Sequence, residues 1–246
     1  MALGYQQYVN QIALLAVVDP ADSNFLLAVP SMISYAELRI QRDLDLMQAS
    51  VSLRGSGYKL NAGNRNISFP MTLSDGSSFI VSEQINIILP IGNNDPDNGE
   101  RVPLLPVTKE YLDTVCSSAL PENLAQPMYF TAFNETLFMV GPVPNADYFV
   151  EVVGMIRLPS MADTHDATFI SQFFPDMFIM ASMIYLSGYQ RNFGAQSGDP
   201  AMAVSYESQY TALLQGSIVE ESRKNYMAAA WSSMPPAVVA SPSRSK

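Results

Sequence analysis

Residues 126–159 constrain the fold most strongly, because apolar and polar side chains alternate there between short turn sequences. Alternation with a period of two is typical of β-strands that bury one face. The pattern contains three strand segments, which are residues 128–133, 136–140 and 148–157. The turns between them are residues 134–135 and the proline-containing segment 141–147. The stretch therefore predicts an antiparallel β-meander.

Shorter strand patterns precede this stretch and begin near Ala49, where the apolar spacing changes from helical to alternating. They are centred on Val51 and Leu53, on Tyr58 and Leu60, on Ile67 and Phe69, and on the longer segment 78–89. A polar loop at 91–102 and a short helical pattern at 109–119 follow. Short strands with turns every 8 to 12 residues or so predict an antiparallel sandwich or a small barrel.

Helical patterns flank the β-rich region on both sides. They cover residues 5–18, 30–48 with Ser31 as the N-cap, 169–189 and 200–224. The second of these helices places Glu37, Arg39 and Asp43 on its polar face. The third is apolar all round, so it must be covered all round, by its own domain and by another helix or another subunit.

These patterns together predict an α+β fold. We expect a helical bundle from the N- and C-terminal helices, with a central antiparallel β-module of sandwich or barrel type and an extended C-terminal tail. The predicted domains are a helical domain of residues 1–48 with 168–225, an inserted β-rich domain of 49–160, and a C-terminal arm of 226–246.

The composition limits the classes of partner. Only 15% of the residues are charged, which leaves much of the surface neutral and suggests that neighbours cover it. The net charge of -10 argues against a nucleic-acid groove, where clustered basic residues neutralise phosphates. The acidity has two interpretations, an ordinary solvated surface or a surface that confined DNA slides past without binding. Since no apolar run is long enough to span a bilayer, no membrane partner is expected.

No constellation of residues predicts an enzyme, a cofactor site or a metal site. His165 is the only histidine and lies in a polar segment before a helix, and Cys116 is the only cysteine and has the character of a small buried hydrophobe. The loop that contains Asn93, Asp95 and Asp97 spaces its oxygen ligands as a calcium loop does. However, Leu104 stands where the bidentate glutamate belongs. The chain is therefore expected to be neither a catalyst nor a metal protein.

The C-terminal arm carries the candidate binding residues, which are Tyr226, Trp231, Pro235 and Pro236. Tyrosine and tryptophan dominate binding hot spots, and adjacent prolines hold a strand extended and lower the entropy lost on docking. Two interpretations stay open here, a partner-docking arm and a disordered terminus.

Several segments of the chain resemble the head-to-tail adaptor (connector) proteins of tailed bacteriophages. They are LRIQRDL at 38–44, QPMYF at 126–130, LFMVGPVP at 137–144, Tyr148, RLP at 157–159, and FPD at 174–176 followed by an Ala-, Met- and Tyr-rich helix. Together they span about residues 5–225, and none of them is a catalytic signature. The polar loop and the long arm depart from the pattern.

The resemblance implies a structural virion protein without enzyme activity at the head-tail junction, assembled in the host cytoplasm. Its implied partners are the portal protein, a tail nozzle or tail tube protein, and further copies of itself in a dodecameric ring. DNA would pass through the ring without specific binding, and the arm would grip the portal. The alternative from the residues is a β-rich tail or decoration module that binds a surface ligand through the meander or the acidic loop. A hydrolase that uses scattered carboxylates is a third class.

Overall fold

The computed structural model describes residues 3–69, 72–118, 120–134, 137–190 and 200–233. The chain divides into two compact units, one formed by Met1–Met47 with Pro159–Lys246 and the other by Gln48–Leu158. We call them the helical unit and the β unit. Within the described residues, the α+β class predicted from the sequence is confirmed.

The described α-helices are α1 (Tyr5–Ala16), α2 (Ser23–Asp43), α3 (Lys109–Val115), α4 (Met161–Thr164), α5 (Phe169–Phe173), α6 (Pro175–Gln190) and α7 (Pro200–Ser233). The described strands are β1 (Ser50–Leu53), β2 (Lys59–Leu60), β3 (Asn66–Ser68), β4 (Ser78–Leu89), β5 (Glu100–Pro103), β6 (Leu105–Pro106), β7 (Tyr129–Ala132), β8 (Leu137–Gly141) and β9 (Tyr148–Arg157).

Helix α6 is the centre of the helical unit, because α1, α2 and α7 all pack against it. Phe178 is fully buried and stacks on Tyr8 of α1, with 4.8 Å between the ring centroids. The Tyr8 hydroxyl donates to Ser182 Oγ at 2.7 Å. The predicted cover for this apolar helix thus comes from helices of the same chain.

The predicted helix 169–189 is wrong in one respect, because it is broken at Phe174 into α5 and α6. Phe174 has φ -128° and ψ 46°, outside the α region. It precedes Pro175, whose ring disfavours an α conformation at the residue before it. Because of the break, α6 begins with Pro175 in its first turn, where the backbone N–H groups have no intrahelical partner and a proline loses no hydrogen bond.

Helix α2 begins earlier than predicted, so the assignment of Ser31 as its N-cap is wrong. Asp22 is the N-cap, and its side chain accepts hydrogen bonds from the backbone N–H groups of Asn24 and Phe25. Pro30 lies inside the helix. The cap at Asp22 places Pro30 in the third turn, where a proline removes one intrahelical hydrogen bond and its ring crowds the carbonyl of residue i−4, so the packing of α2 must offset that cost.

The β unit is a sandwich of two sheets around one core. One sheet has the order β1-β9-β4-β5, with β2 also paired to β9, and the other has the order β3-β8-β7-β6. All the pairings are antiparallel except β6 with β7. The core is formed by inward side chains of both sheets, among them Ile85, Val150 and Val152 from the first and Phe130 and Phe138 from the second.

The predicted meander is wrong in its last step. β7 and β8 form an antiparallel hairpin, but β9 belongs to the other sheet and pairs with β1, β2 and β4. The segment between Gly141 and Tyr148 therefore carries the chain from one sheet to the other. The alternating pattern locates each strand but does not specify its partner, which depends on long-range packing.

Helix α7 ends at Ser233 and not near Lys224 as predicted. The first part of the segment expected to be extended, from Tyr226 onward, is therefore helical. Three consecutive alanines at 228–230 favour this continuation, since alanine has the highest helix propensity. With 34 residues, the helix is about 50 Å long.

Candidate interaction site

The candidate site is the C-terminal end of α7 with the contacts that hold this helix in place. Tyr226 is 73% exposed on α7. Trp231 lies in the last turns of the same helix, where only the backbone is described. Pro235 and Pro236 lie outside the described residues. The structure thus places two of the four predicted binding residues on one helix, about one and a half turns apart.

A charged network joins the first half of α7 to α2. The Arg39 guanidinium donates to both carboxylate oxygens of Glu207, one of them at 2.9 Å, in the bidentate geometry that makes such pairs strong. It also lies over the ring of Tyr210, 4.3 Å from the centroid. The Tyr210 hydroxyl donates to Asp43 Oδ2 at 2.7 Å. Arg39 and Asp43 belong to the LRIQRDL segment noted in the sequence.

The charges of this network are fixed by their partners. The hydrogen bonds from Arg39 hold the pKa of the Glu207 carboxyl below its ordinary value and raise the pKa of the guanidinium itself. Burial, followed by the hydrogen bond to Asp43, raises the pKa of Tyr210. At neutral pH the network therefore holds α7 on α2 through an ion pair and a neutral phenol.

The C-terminal half of α7 has its own polar contacts. Lys224 Nζ lies 2.6 Å from a carboxylate oxygen of Glu221 and 2.9 Å from one of Glu220. It also lies over the ring of Phe174 at 5.8 Å. Glu221 is buried whereas Glu220 is exposed. One lysine thus neutralises a buried and an exposed carboxylate only a few residues before Tyr226.

The acidic loop after β4 is held by arginines. Asp97 accepts hydrogen bonds from Arg54 and Arg101 at 2.8 Å each, and these bonds lower the pKa of its carboxyl. Arg101 also donates through Nε to the buried Glu151 at 2.8 Å. The carboxylate of Asp97 is therefore engaged by guanidinium groups. Among the described residues, no group of three or more His, Cys, Asp or Glu side chains is arranged to hold a metal ion.

The other residues singled out in the sequence have structural contacts. His165 adopts a left-handed conformation at the end of α4, and its ring lies 4.5 Å from the ring of Tyr5. Cys116 lines a depression of about 200 Å³ together with Val115, Ser117, Ser118, Asn123 and Pro142. Burial raises the pKa of its thiol, which disfavours the nucleophilic thiolate at neutral pH.

Sequence reasoning missed the exposed apolar surface that α1 and α2 of the helical unit each carry. Leu14 and Val17 at the end of α1, and Leu27 in α2, are 78%, 81% and 79% exposed. Helical periodicity suggested that α1 was an ordinary amphipathic helix, and the absence of charge from residues 11–18 is the signal that could have identified this surface. Within the residues that the structure describes, no helix has the length and hydropathy needed to span a membrane.

A comparison with protein families matches residues 4–237 to the family described as SU10 adaptor protein. The matched range includes the described parts of both units and the whole of α7. The comparison with curated proteins gives no match to the chain.

Proposed function

Because the chain belongs to the SU10 adaptor protein family, a family of structural adaptor proteins of bacteriophages, we propose that it is a head-to-tail adaptor that joins the portal to the tail. The family match over residues 4–237 is the observation that carries this proposal, since it covers most of the chain and not a single motif. The proposed location is the head-tail junction of the virion, with assembly in the host cytoplasm. The proposed partners are the portal protein, a tail nozzle or tail tube protein, and further copies of this chain.

Self-association into a ring, expected to be a dodecamer, is supported by the exposed aliphatic side chains of Leu14, Val17 and Leu27. Each is about four-fifths exposed, so burial against a neighbouring copy would remove apolar surface from water. A ring of such chains would surround the DNA with protein of net charge -10 each. Like charges repel, so the passing DNA would not bind to the channel wall.

We assign the portal contact to the end of the chain, through Tyr226, Trp231, Pro235 and Pro236. The helical course of α7 to Ser233 supports a modified form of the docking-arm hypothesis, in which both aromatic residues lie in the last turns of a helix. The exposure of Tyr226, 73% of its surface, is also consistent with this role, because its ring is available without unfolding the helix.

The experiment is a mass measurement of the purified protein, alone and mixed with its portal. We expect rings in at least the mixture, and a protein that stays monomeric and never binds portal would refute the adaptor assignment. Tyr226→Ala should then weaken portal binding by about 2 kcal/mol or more, as for a hot-spot residue. Val219→Ala, a truncation of another exposed residue of α7, is the matched control and should leave binding unchanged.

A further inference from the structure

The chain leaves the helical unit after Met47 and re-enters it at Pro159. Beside each of these two points the helical unit has a buried glutamate, Glu221 and Glu37, with only 2% and 3% of their surface exposed. Carboxylates are rarely buried to this degree unless their oxygens are hydrogen-bonded. In both cases a backbone N–H of the crossing segment is one of the donors.

The exit segment, residues 44–47, is fixed by two neighbouring positions of α7. Met47 N–H donates to Glu221 Oε2 at 3.4 Å, and Asn225 Nδ2 donates to the backbone carbonyl of Asp45 at 3.1 Å. Glu221 and Asn225 are four residues apart, so they lie on the same face of the helix. Buried Leu44 and Leu46 complete the attachment.

The re-entry segment, residues 159–162, is fixed by α2. Glu37 Oε2 accepts from the Ser160 hydroxyl at 2.6 Å, and Glu37 Oε1 accepts from the Met161 N–H at 3.0 Å. Ser160 Oγ in turn accepts from the N–H of Ala162 and caps α4. Both oxygens of the buried carboxylate thus accept from two consecutive residues, Ser160 and Met161.

We propose that Glu221 and Glu37 are anchors that independently immobilise the exit and re-entry segments, and that the C-terminal end of α7 controls the exit alone. Withdrawing the backbone donor leaves one oxygen of a buried carboxylate without that hydrogen bond, which opposes movement of the anchored backbone. Glu221 lies about 7.5 Å along the axis from Tyr226. A displacement of the helix end that reaches Glu221 and Asn225 therefore frees residues 44–47, whereas the re-entry segment stays held by α2.

Amide hydrogen exchange of the full chain tests the two anchors separately. Glu221→Ala should speed exchange in residues 44–50 about tenfold, the equivalent of about 1.4 kcal/mol, and leave residues 159–163 unchanged. Glu37→Ala should do the reverse. The control is Glu220→Ala, which removes an exposed partner of the same lysine and should change exchange in both segments less than about twofold.

Glu221→Gln keeps the shape of the side chain and serves if the alanine variant does not fold. It should speed exit exchange measurably, because a neutral amide is a weaker acceptor than a carboxylate. Equal exchange at the exit in the Glu221 and Glu220 variants would overturn the assignment of the anchor. Equally faster exchange in the exit and re-entry segments of a folded Glu221 variant would also overturn this assignment.

The control by α7 is tested with Ala228→Pro, which disrupts the helix one to two turns beyond Glu221. We expect several-fold faster exchange at residues 44–50 with no change at residues 159–163. Unchanged exchange at the exit would show that the helix end does not control it. Unchanged exchange at the exit would not contradict portal binding through Tyr226. The proposed control of the exit segment and the proposed portal contact can therefore be refuted separately.

Discussion

At the scale of single residues, the acidic groups respond to folding in opposite ways. Hydrogen bonds from arginine, lysine or serine lower the pKa of the carboxyls at Asp75, Asp97, Asp113, Asp147 and Glu207. Glu37 is different, because burial raises the pKa of its carboxyl despite the hydrogen bonds from Ser160 and Met161. Its contribution to stability therefore has a pH dependence opposite to that of the others.

Glu37→Gln should remove this component of the pH dependence. Because the folded pKa is raised above the ordinary value of 4.5, the contribution of Glu37 is complete below that value and is lost as the pH rises through the folded pKa. Relative to the glutamine variant, the wild type should therefore lose stability with rising pH over this window. Urea unfolding at a series of pH values measures the difference.

The exposed Glu83→Gln is the control for this measurement. Its unfolding free energy should follow that of the wild type at every pH. If the wild-type and Glu37→Gln curves also stay parallel across the window, the assignment to Glu37 is wrong.

The sequence alone placed Glu37 with Arg39 and Asp43 on a polar face. That prediction holds for Arg39, which reaches Glu207, but Glu37 is covered by the start of α4. Helical periodicity indicates on which face of a helix a residue lies. It does not indicate whether a segment more than a hundred positions later in the chain covers that face. Buried charges such as Glu37 and Glu221 are therefore the part of the structure least accessible to sequence reasoning.

At the scale of elements, α6 carries the packing of the helical unit. Phe178→Ala should lower the free energy of unfolding by about 3–5 kcal/mol, because the side chain is fully buried and the cavity would not collapse. Phe173→Ala is the matched control on α5, since Phe173 is mostly exposed and has a ring contact with Phe169 at 4.7 Å. It should cost less than about 1 kcal/mol. Chemical denaturation compares the two, and equal losses would show that α6 is not the central helix.

The strands and the helices differ in how well the sequence predicts them. β4 has the predicted bounds, Ser78–Leu89, because a long run rich in Ile and Val specifies a strand locally. The pairing of β9 was mispredicted because its partners β1 and β4 lie far away in the sequence. The start of α2 was mispredicted because proline was given more weight than the cap at Asp22. Local chemistry thus specified the elements, while sheet order was determined by the shared core.

The predicted domains and the predicted binding residues still need experimental tests. The chain passes from one compact unit to the other at residues 47–48 and 158–159, whereas the predicted domains were 1–48 with 168–225 and 49–160. Independent folding of these domains stays a prediction for fragment experiments. For the binding residues, composition pointed to the arm; Tyr226, whose side chain the structure describes, is 73% exposed, and its role in binding stays a prediction.

At the scale of the whole molecule, the exposed side chains of Leu14 and Leu27 give the clearest expectation. Leu14→Gln with Leu27→Gln should shift self-association toward the monomer by at least tenfold in concentration. The stability of the monomer should change by about 0.5 kcal/mol or less, because both side chains are already in contact with water. Analytical ultracentrifugation and thermal unfolding measure the two effects.

Leu105→Gln, at a side chain of the β unit that is also more than half exposed, is the control for polarity alone. It should leave self-association as in the wild type. Self-association that survives the double change would show that Leu14 and Leu27 lie outside the interface between copies.

Because α1 and α2 are synthesised long before α6, the packing of α6 against them has a consequence for the order of folding. About 130 residues separate the end of α2 from the start of α6, an interval on the order of ten seconds at ordinary rates of synthesis. All strands of the β unit have emerged from the ribosome once β9 has emerged, which is before α6 emerges. We therefore expect the β unit to fold before the helical unit. Until α6 emerges, the apolar faces of α1 and α2 stay exposed and can bind a chaperone.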